Sequence, residues 1–110
     1  MDFSEYQEHA LETFLQSKEW EFAVPYLVLG LNGEAGEVAE KVKKLYRDAG
    51  GVLTPEAREA IVKEMGDVLW YLAVLAHVLE VPLEEVACQN IEKLASRKER
   101  GALRGEGDNR

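Results

Sequence analysis

An all-α, four-helix bundle-like fold with two long antiparallel central helices is what this sequence predicts, on three observations. Apolar residues recur at three- and four-residue spacing in four separate segments, which is the period of one helical face. No stretch alternates apolar and polar residues as a half-buried strand does. The segments are divided by residues that start or stop helices, namely Gly50-Gly51, Thr54-Pro55 and Pro82.

Ser4 followed by Gln7 reads as a capping box, and Tyr6, Ala10, Phe14 and Leu15 give the first helix its stripe. Ser17, Lys18, Glu19 and Trp20 interrupt it. From about Val24 a second stripe runs through Leu27, Leu31, Ala35, Val38, Val42 and Leu45, and stops at the glycine pair. Thr54 as N-cap and Pro55 in the first turn restart the chain. The third stripe is Ile61, Met65, Val68, Leu72, then Leu75 or Ala76, and Leu79. Pro82 opens a fourth helix with Val86, Ile91 and Leu94 on its apolar side. Glu84 and Glu85 sit at its positive end. Residues 1–100 read as one domain, and Gly101, Gly105 and Gly107 mark residues 101–110 as a flexible Gly/Arg-containing tail.

The bulk composition narrows the setting. The 110 residues are 46% hydrophobic and 31% charged, enough for one domain with a modest core. No apolar run approaches the roughly 18 residues of a membrane helix, and the acidic N-terminus has no signal-peptide pattern. A lone cysteine, Cys88, cannot close an internal disulfide, which points to the cytoplasm. Thirteen basic against 21 acidic side chains leave a formal charge of −8, so neither duplex nucleic acid nor an anionic membrane is expected as a partner.

Two stretches carry the chemistry: Glu34-Ala35-Gly36-Glu37-Val38 and Glu64-Met65-Gly66-Asp67-Val68. At about 100° per residue both acid pairs fall near −60° and −120° when their stripes centre near +20°. If the two helices pack antiparallel through their stripes, four carboxylates converge along one seam. Like charges three apart repel by a few tenths of a kcal/mol, and a mid-helix glycine costs up to roughly 1 kcal/mol. The sequence accepts both penalties twice. A hard divalent cation, Mg²⁺ or Mn²⁺, relieves the repulsion with oxygen ligands.

Glu-x-x-Glu, a spacer of 26 residues and Glu-x-x-Asp resemble the signature of the all-α nucleoside triphosphate pyrophosphohydrolases. LNGEAGEVAEKVKK and KEMGDVLWYLAVLA are similar to the MazG-like branch, as is the downstream Asn90, Lys93, Leu94, Arg97 run. The likeness spans roughly residues 25–100. It implies that Glu34, Glu37, Glu64 and Asp67 bind Mg²⁺ and that an NTP or dNTP is cleaved to the monophosphate and pyrophosphate. Glu37 is the expected base that takes the proton of the attacking water.

Asn90, Lys93 and Arg97 share one helical face and are expected to grip phosphates. Lys41 shares the acid column and is either a phosphate contact or an i,i+4 partner of Glu37. Tyr71 continues the column of Glu64 and Asp67 and is counted among the substrate contacts. His9 and His77 lack a second ligand at useful spacing, Cys88 reads as a packed thiol, and Trp20 as cover for a core edge. A variant of the same site acting on dUTP or phosphoribosyl-ATP is one alternative. A non-catalytic metal- and nucleotide-binding oligomerisation module is another. Beyond Gly66 the third helix is apolar nearly all round, with Trp70 and Val74 opposite its stripe, so a homodimer or homotetramer is expected to cover that back.

Overall fold

The computed structural model describes all 110 residues, which form four helices joined by turns and loops, without a strand. They are α1 (Phe3–Leu11), α2 (Ala23–Asp48), α3 (Pro55–Val78) and α4 (Leu83–Glu99). The α3 start follows the sequence: Thr54 Oγ1 accepts from the Ala57 amide at 3.1 Å, with Pro55 in the first turn. The α1 start does not. Asp2, rather than Ser4, is the cap, and its Oδ1 accepts from the Glu5 amide at 2.8 Å. A carboxylate there also meets the positive helix end.

Gln7 instead ties three elements together. Its Nε2 donates to the carbonyls of Ala73 (3.0 Å) and Val81 (3.3 Å), and its Oε1 accepts from the Leu83 amide at 3.0 Å. α1 also ends a turn before Phe14. The Thr13 hydroxyl and the Trp70 indole N–H both donate to the Ala10 carbonyl at 3.0 Å, and satisfy an acceptor that another helical turn would have used.

α2 and α3 form an antiparallel hairpin, with Gly30 against Tyr71 near one end and Lys41 against Glu64 nearer the other. The turn begins with Gly50 and Gly51 at φ +60° and +78°, a conformation costly for residues with a Cβ. A Cβ on Gly30 would overlap the Tyr71 ring, which accounts for a glycine in that helix. α3 closes with the Val81 amide on the Ala76 carbonyl (2.8 Å) and the Glu80 amide on His77 (2.9 Å). Glu80 takes φ +61°, where glycine is the usual residue and a side chain costs about 1 kcal/mol.

The core lies where α1 crosses α3: Ala10, Leu27, Ala73, Val74 and Leu83, with Tyr6, Phe14, Trp70 and Tyr71 against it. This corrects three expectations. Trp70 and Val74 are covered by α1, so the back of α3 needs no second copy. The two stripes do not meet face to face. Gly30, Glu34 and Lys41 of α2 face Glu64 and Tyr71 of α3, so both helices are turned roughly 90° toward their acid columns. Val24, Val28 and Val42 of α2 and Met65 and Leu72 of α3 stay exposed. Cys88 is exposed too, since α4 packs through Leu83 and half-buried Ala87.

Nor does the single chain close a bundle. The backbone of α2 runs beside α3 alone, and α4 leaves α3 at 100°. The radius of gyration is 16.9 Å, against about 13 Å for a compact domain of this length. No single helix is long and apolar enough to cross a membrane.

Candidate metal-binding active site

The seam between α2 and α3 gathers three of the four acids. One carboxylate oxygen from each of Glu34, Glu64 and Asp67 lies within 4.8 Å of the others; Glu34 and Glu64 are half-buried and Asp67 is exposed. Each comes from the turn around a mid-helix glycine. Gly36 and Gly66 have open space where a Cβ would stand, so neither is needed for packing within the chain. Glu37 stands outside the trio and is exposed. Lys41 reaches across the seam, its Nζ 3.8 Å from Glu64 Oε1, rather than pairing with Glu37 on its own helix.

The electrostatics are those of a site short of positive charge. The Glu34 carboxyl is pushed above its ordinary pKa, by burial first and then by Asp67, Glu64 and Glu37. The Tyr71 hydroxyl is pushed up as well, by burial, by neighbouring Tyr26, and by Glu34 and Asp67. Tyr6 of α1 is raised by burial and then by Asp67. Tyr6 therefore stands near Asp67 and Tyr26 beside Tyr71, although the sequence assigned neither to the seam. Tyr26 had a signal, since it precedes Glu37 by 11 residues, about three full turns. Tyr6 had none, because only tertiary packing brings α1 there. Three hard oxygen ligands with one proton affinity already raised suit a divalent cation of the Mg²⁺ or Mn²⁺ kind.

A pH effect follows. The folded chain takes up the Glu34 proton more readily than the unfolded chain does. Its contribution to stability is thus fully present below the unfolded pKa and is lost as pH rises through the raised folded value. Metal-free Glu34→Gln is expected to melt above metal-free wild type at neutral pH and level with it in acid. Identical melting curves at neutral pH would show that the carboxylates do not repel.

The α4 residues lie apart from this trio. Asn90 is exposed, while Lys93 and Arg97 both hold Asp108 of the C-terminal segment. α4 touches α1 and α3 and never runs beside α2. His77 lines a shallow hollow with Ser4, Gln7 and Glu80, and Trp20 packs edge-on against Phe22.

An acid-bearing antiparallel helix pair, braced at one end by two shorter helices, defines an all-α domain with a carboxylate cluster between its long helices that could hold a cation. The chain belongs to the MazG nucleotide pyrophosphohydrolase domain family, which matches residues 23–101, and is a hydrolase of that general type. It is 54% identical over 85 residues to the "Gene 37 protein" of Mycobacterium phage L5, covering 77% of this chain and 75% of that one. "Uncharacterized protein YvdC" of Bacillus subtilis (strain 168) is 33% identical over 95 residues, 81% of this chain and 90% of its own. "Uncharacterized protein YpjD" of the same organism is 33% identical over 93 residues, 84% and 83%. No solved structure matches.

Proposed function

We propose that this protein is a Mg²⁺-dependent nucleoside triphosphate pyrophosphohydrolase that converts an NTP or dNTP to the monophosphate and pyrophosphate. Its setting is the cytoplasmic nucleotide pool, and its active form is a homodimer or homotetramer. The observation that carries the reading is the carboxylate trio of Glu34, Glu64 and Asp67 with Glu37 beside it and uncommitted. A divalent cation held by the trio would offset the triphosphate charge and acidify a water.

The chain's own groups supply the rest. Glu37, one turn from Glu34 and exposed, accepts the proton as the water oxygen bonds to the α-phosphorus. The bond from that phosphorus to the bridging oxygen breaks, and pyrophosphate leaves. Lys41, whose Nζ lies 3.8 Å from Glu64 Oε1 across the seam, would be free to meet the incoming phosphates were Glu64 to serve as a cation ligand. Tyr71, packed over Gly30 at one end of the seam, is a substrate contact, and Asn90, Lys93 and Arg97, on α4 apart from the trio, are assigned to the distal phosphates, which extend away from the carboxylates.

Protein, Mg²⁺ and a panel of NTPs and dNTPs, assayed for pyrophosphate and orthophosphate separately, test the reaction. Pyrophosphate in a 1:1 ratio to monophosphate is expected. Orthophosphate with a remaining diphosphate would place the attack at the terminal phosphorus and overturn the reading. No release of either, with nucleotide and metal still bound, would favour the non-catalytic module.

A further inference from the structure

Residues 101–110 fold back on α4 and place the Asp108 carboxylate against Lys93 and Arg97. Six of the chain's 13 Lys and Arg residues fall from Lys93 onward, so this end favours anions although the whole chain carries −8. Gly101 at φ +66° turns the chain, and the Ala102 amide donates to the Arg97 carbonyl at 2.7 Å. Arg110 then ties the loop shut. Its guanidinium donates to the carbonyls of Gly107 (2.6 Å), Ala102 (3.1 Å) and Leu103 (3.1 Å).

So held, Asp108 Oδ1 accepts from Lys93 Nζ at 2.9 Å and from Arg97 Nη2 at 3.1 Å, and the Asp108 carbonyl accepts from Arg97 as well. These two cations, Lys93 before Arg97, hold the Asp108 carboxyl below its ordinary pKa. Arg97 is only 5% exposed, and its Nε is buried with no partner. One carboxylate oxygen serves both cations and leaves that donor over.

A lysine and an arginine one turn apart, converging on a single oxygen anion, form the contact a phosphate makes, and a phosphate carries more oxygens to share among the donors. We propose that Asp108 is the chain's own occupant of an anion site formed by Lys93 and Arg97, and that a nucleotide's polyphosphate, or free pyrophosphate, displaces it. This rests on the proposed phosphate-gripping role of the same pair. The tail then sets substrate affinity without touching the chemistry at the carboxylate seam. A carboxylate on so short a tether competes at a millimolar effective concentration, so its removal raises affinity by about 3- to 10-fold rather than by orders of magnitude.

Calorimetric titration of the full-length protein with pyrophosphate, without divalent metal, tests this apart from turnover. Asp108→Asn is expected to bind pyrophosphate about 3- to 10-fold tighter than wild type, and adding Lys93→Ala should remove the gain. A chain ending at Gly105 should show the same gain and guards against a local folding defect in the point variant. In the activity assay KM for the nucleotide should fall in the same proportion with kcat unchanged. Equal pyrophosphate affinity in wild type, Asp108→Asn and the shortened chain would make the contact a staple for the end of α4 and overturn the proposal. The titration contains no metal and requires no turnover. A protein without pyrophosphohydrolase activity would therefore still report on the anion site, and loss of the seam reading and loss of this one are separable.

Discussion

Glu34→Gln, Glu64→Gln and Asp67→Asn are each expected to lower kcat/KM by about 10²- to 10³-fold at saturating Mg²⁺, with helix content unchanged. A metal that polarises phosphoryl oxygens stabilises the transition state by several kcal/mol, and each 1.36 kcal/mol is tenfold in rate. The three oxygens lie within 4.8 Å of one another, so removing any one leaves too few charged ligands to hold a strongly hydrated cation. None of the three is a core residue, so folding is spared. Glu37→Gln is expected to differ in kind. It should lose a comparable factor in kcat, about 10²- to 10⁴-fold for a missing base, yet keep metal affinity near wild type, because Glu37 stands outside the trio. Calorimetric titration with Mn²⁺ beside steady-state kinetics separates ligand from base. Near-wild-type turnover in all four variants would move the active site away from the seam.

The acid seam survived an error in the predicted packing, and the reason is physical. The sequence placed the helices stripe to stripe, whereas α2 and α3 meet along Gly30, Glu34, Glu64 and Tyr71. Because both acid columns have the same phase relative to their stripes, turning both helices by the same amount keeps the columns together. Periodicity thus conveyed which residues share a face, but not which face meets which neighbour. Thr54-Pro55 was legible because a cap is local chemistry. Asp2 as the α1 cap was legible in kind but not in place, since Ser4 is also a good cap and Gln7 was claimed by Ala73, Val81 and Leu83 across the fold. The nearness of Tyr6 to Asp67, the cover of Trp70 by α1 and the Asp108 clamp all join residues distant in sequence. No local pattern encodes them.

Sedimentation at micromolar concentration is expected to show no 12.4 kDa species, and a charge placed on the open face of the hairpin should create one. The chain exposes 8095 Å², whereas a folded monomer of this mass exposes about 6,100 Å². The excess, roughly 2,000 Å², is more than the roughly 800 Å² per partner that a standard interface buries. Val24, Val28, Val42, Met65 and Leu72 are all exposed. Around Met65 an apolar hollow of about 500 Å³ is lined by Ala35, Val38, Val68 and Leu69. By helical phase these residues lie roughly 90° or more from Glu37 and Asp67, the exposed outer edge of the seam, so covering them leaves that edge open. Two antiparallel helices sharing one apolar side are half of a four-helix bundle, and a two-fold copy supplies the other half. Leu72→Asp buries a charge in that interface without touching the α1–α3 core, and should yield monomer with a sharply lower Tm. Gly66→Ala provides the converse check. Within one chain its Cβ meets nothing, so it should stabilise by up to about 1 kcal/mol unless the partner's backbone lies against it. A wild-type protein that sediments as a single 12.4 kDa species, with Leu72→Asp as stable as wild type, would mean the open face is tolerated bare and no second copy covers it.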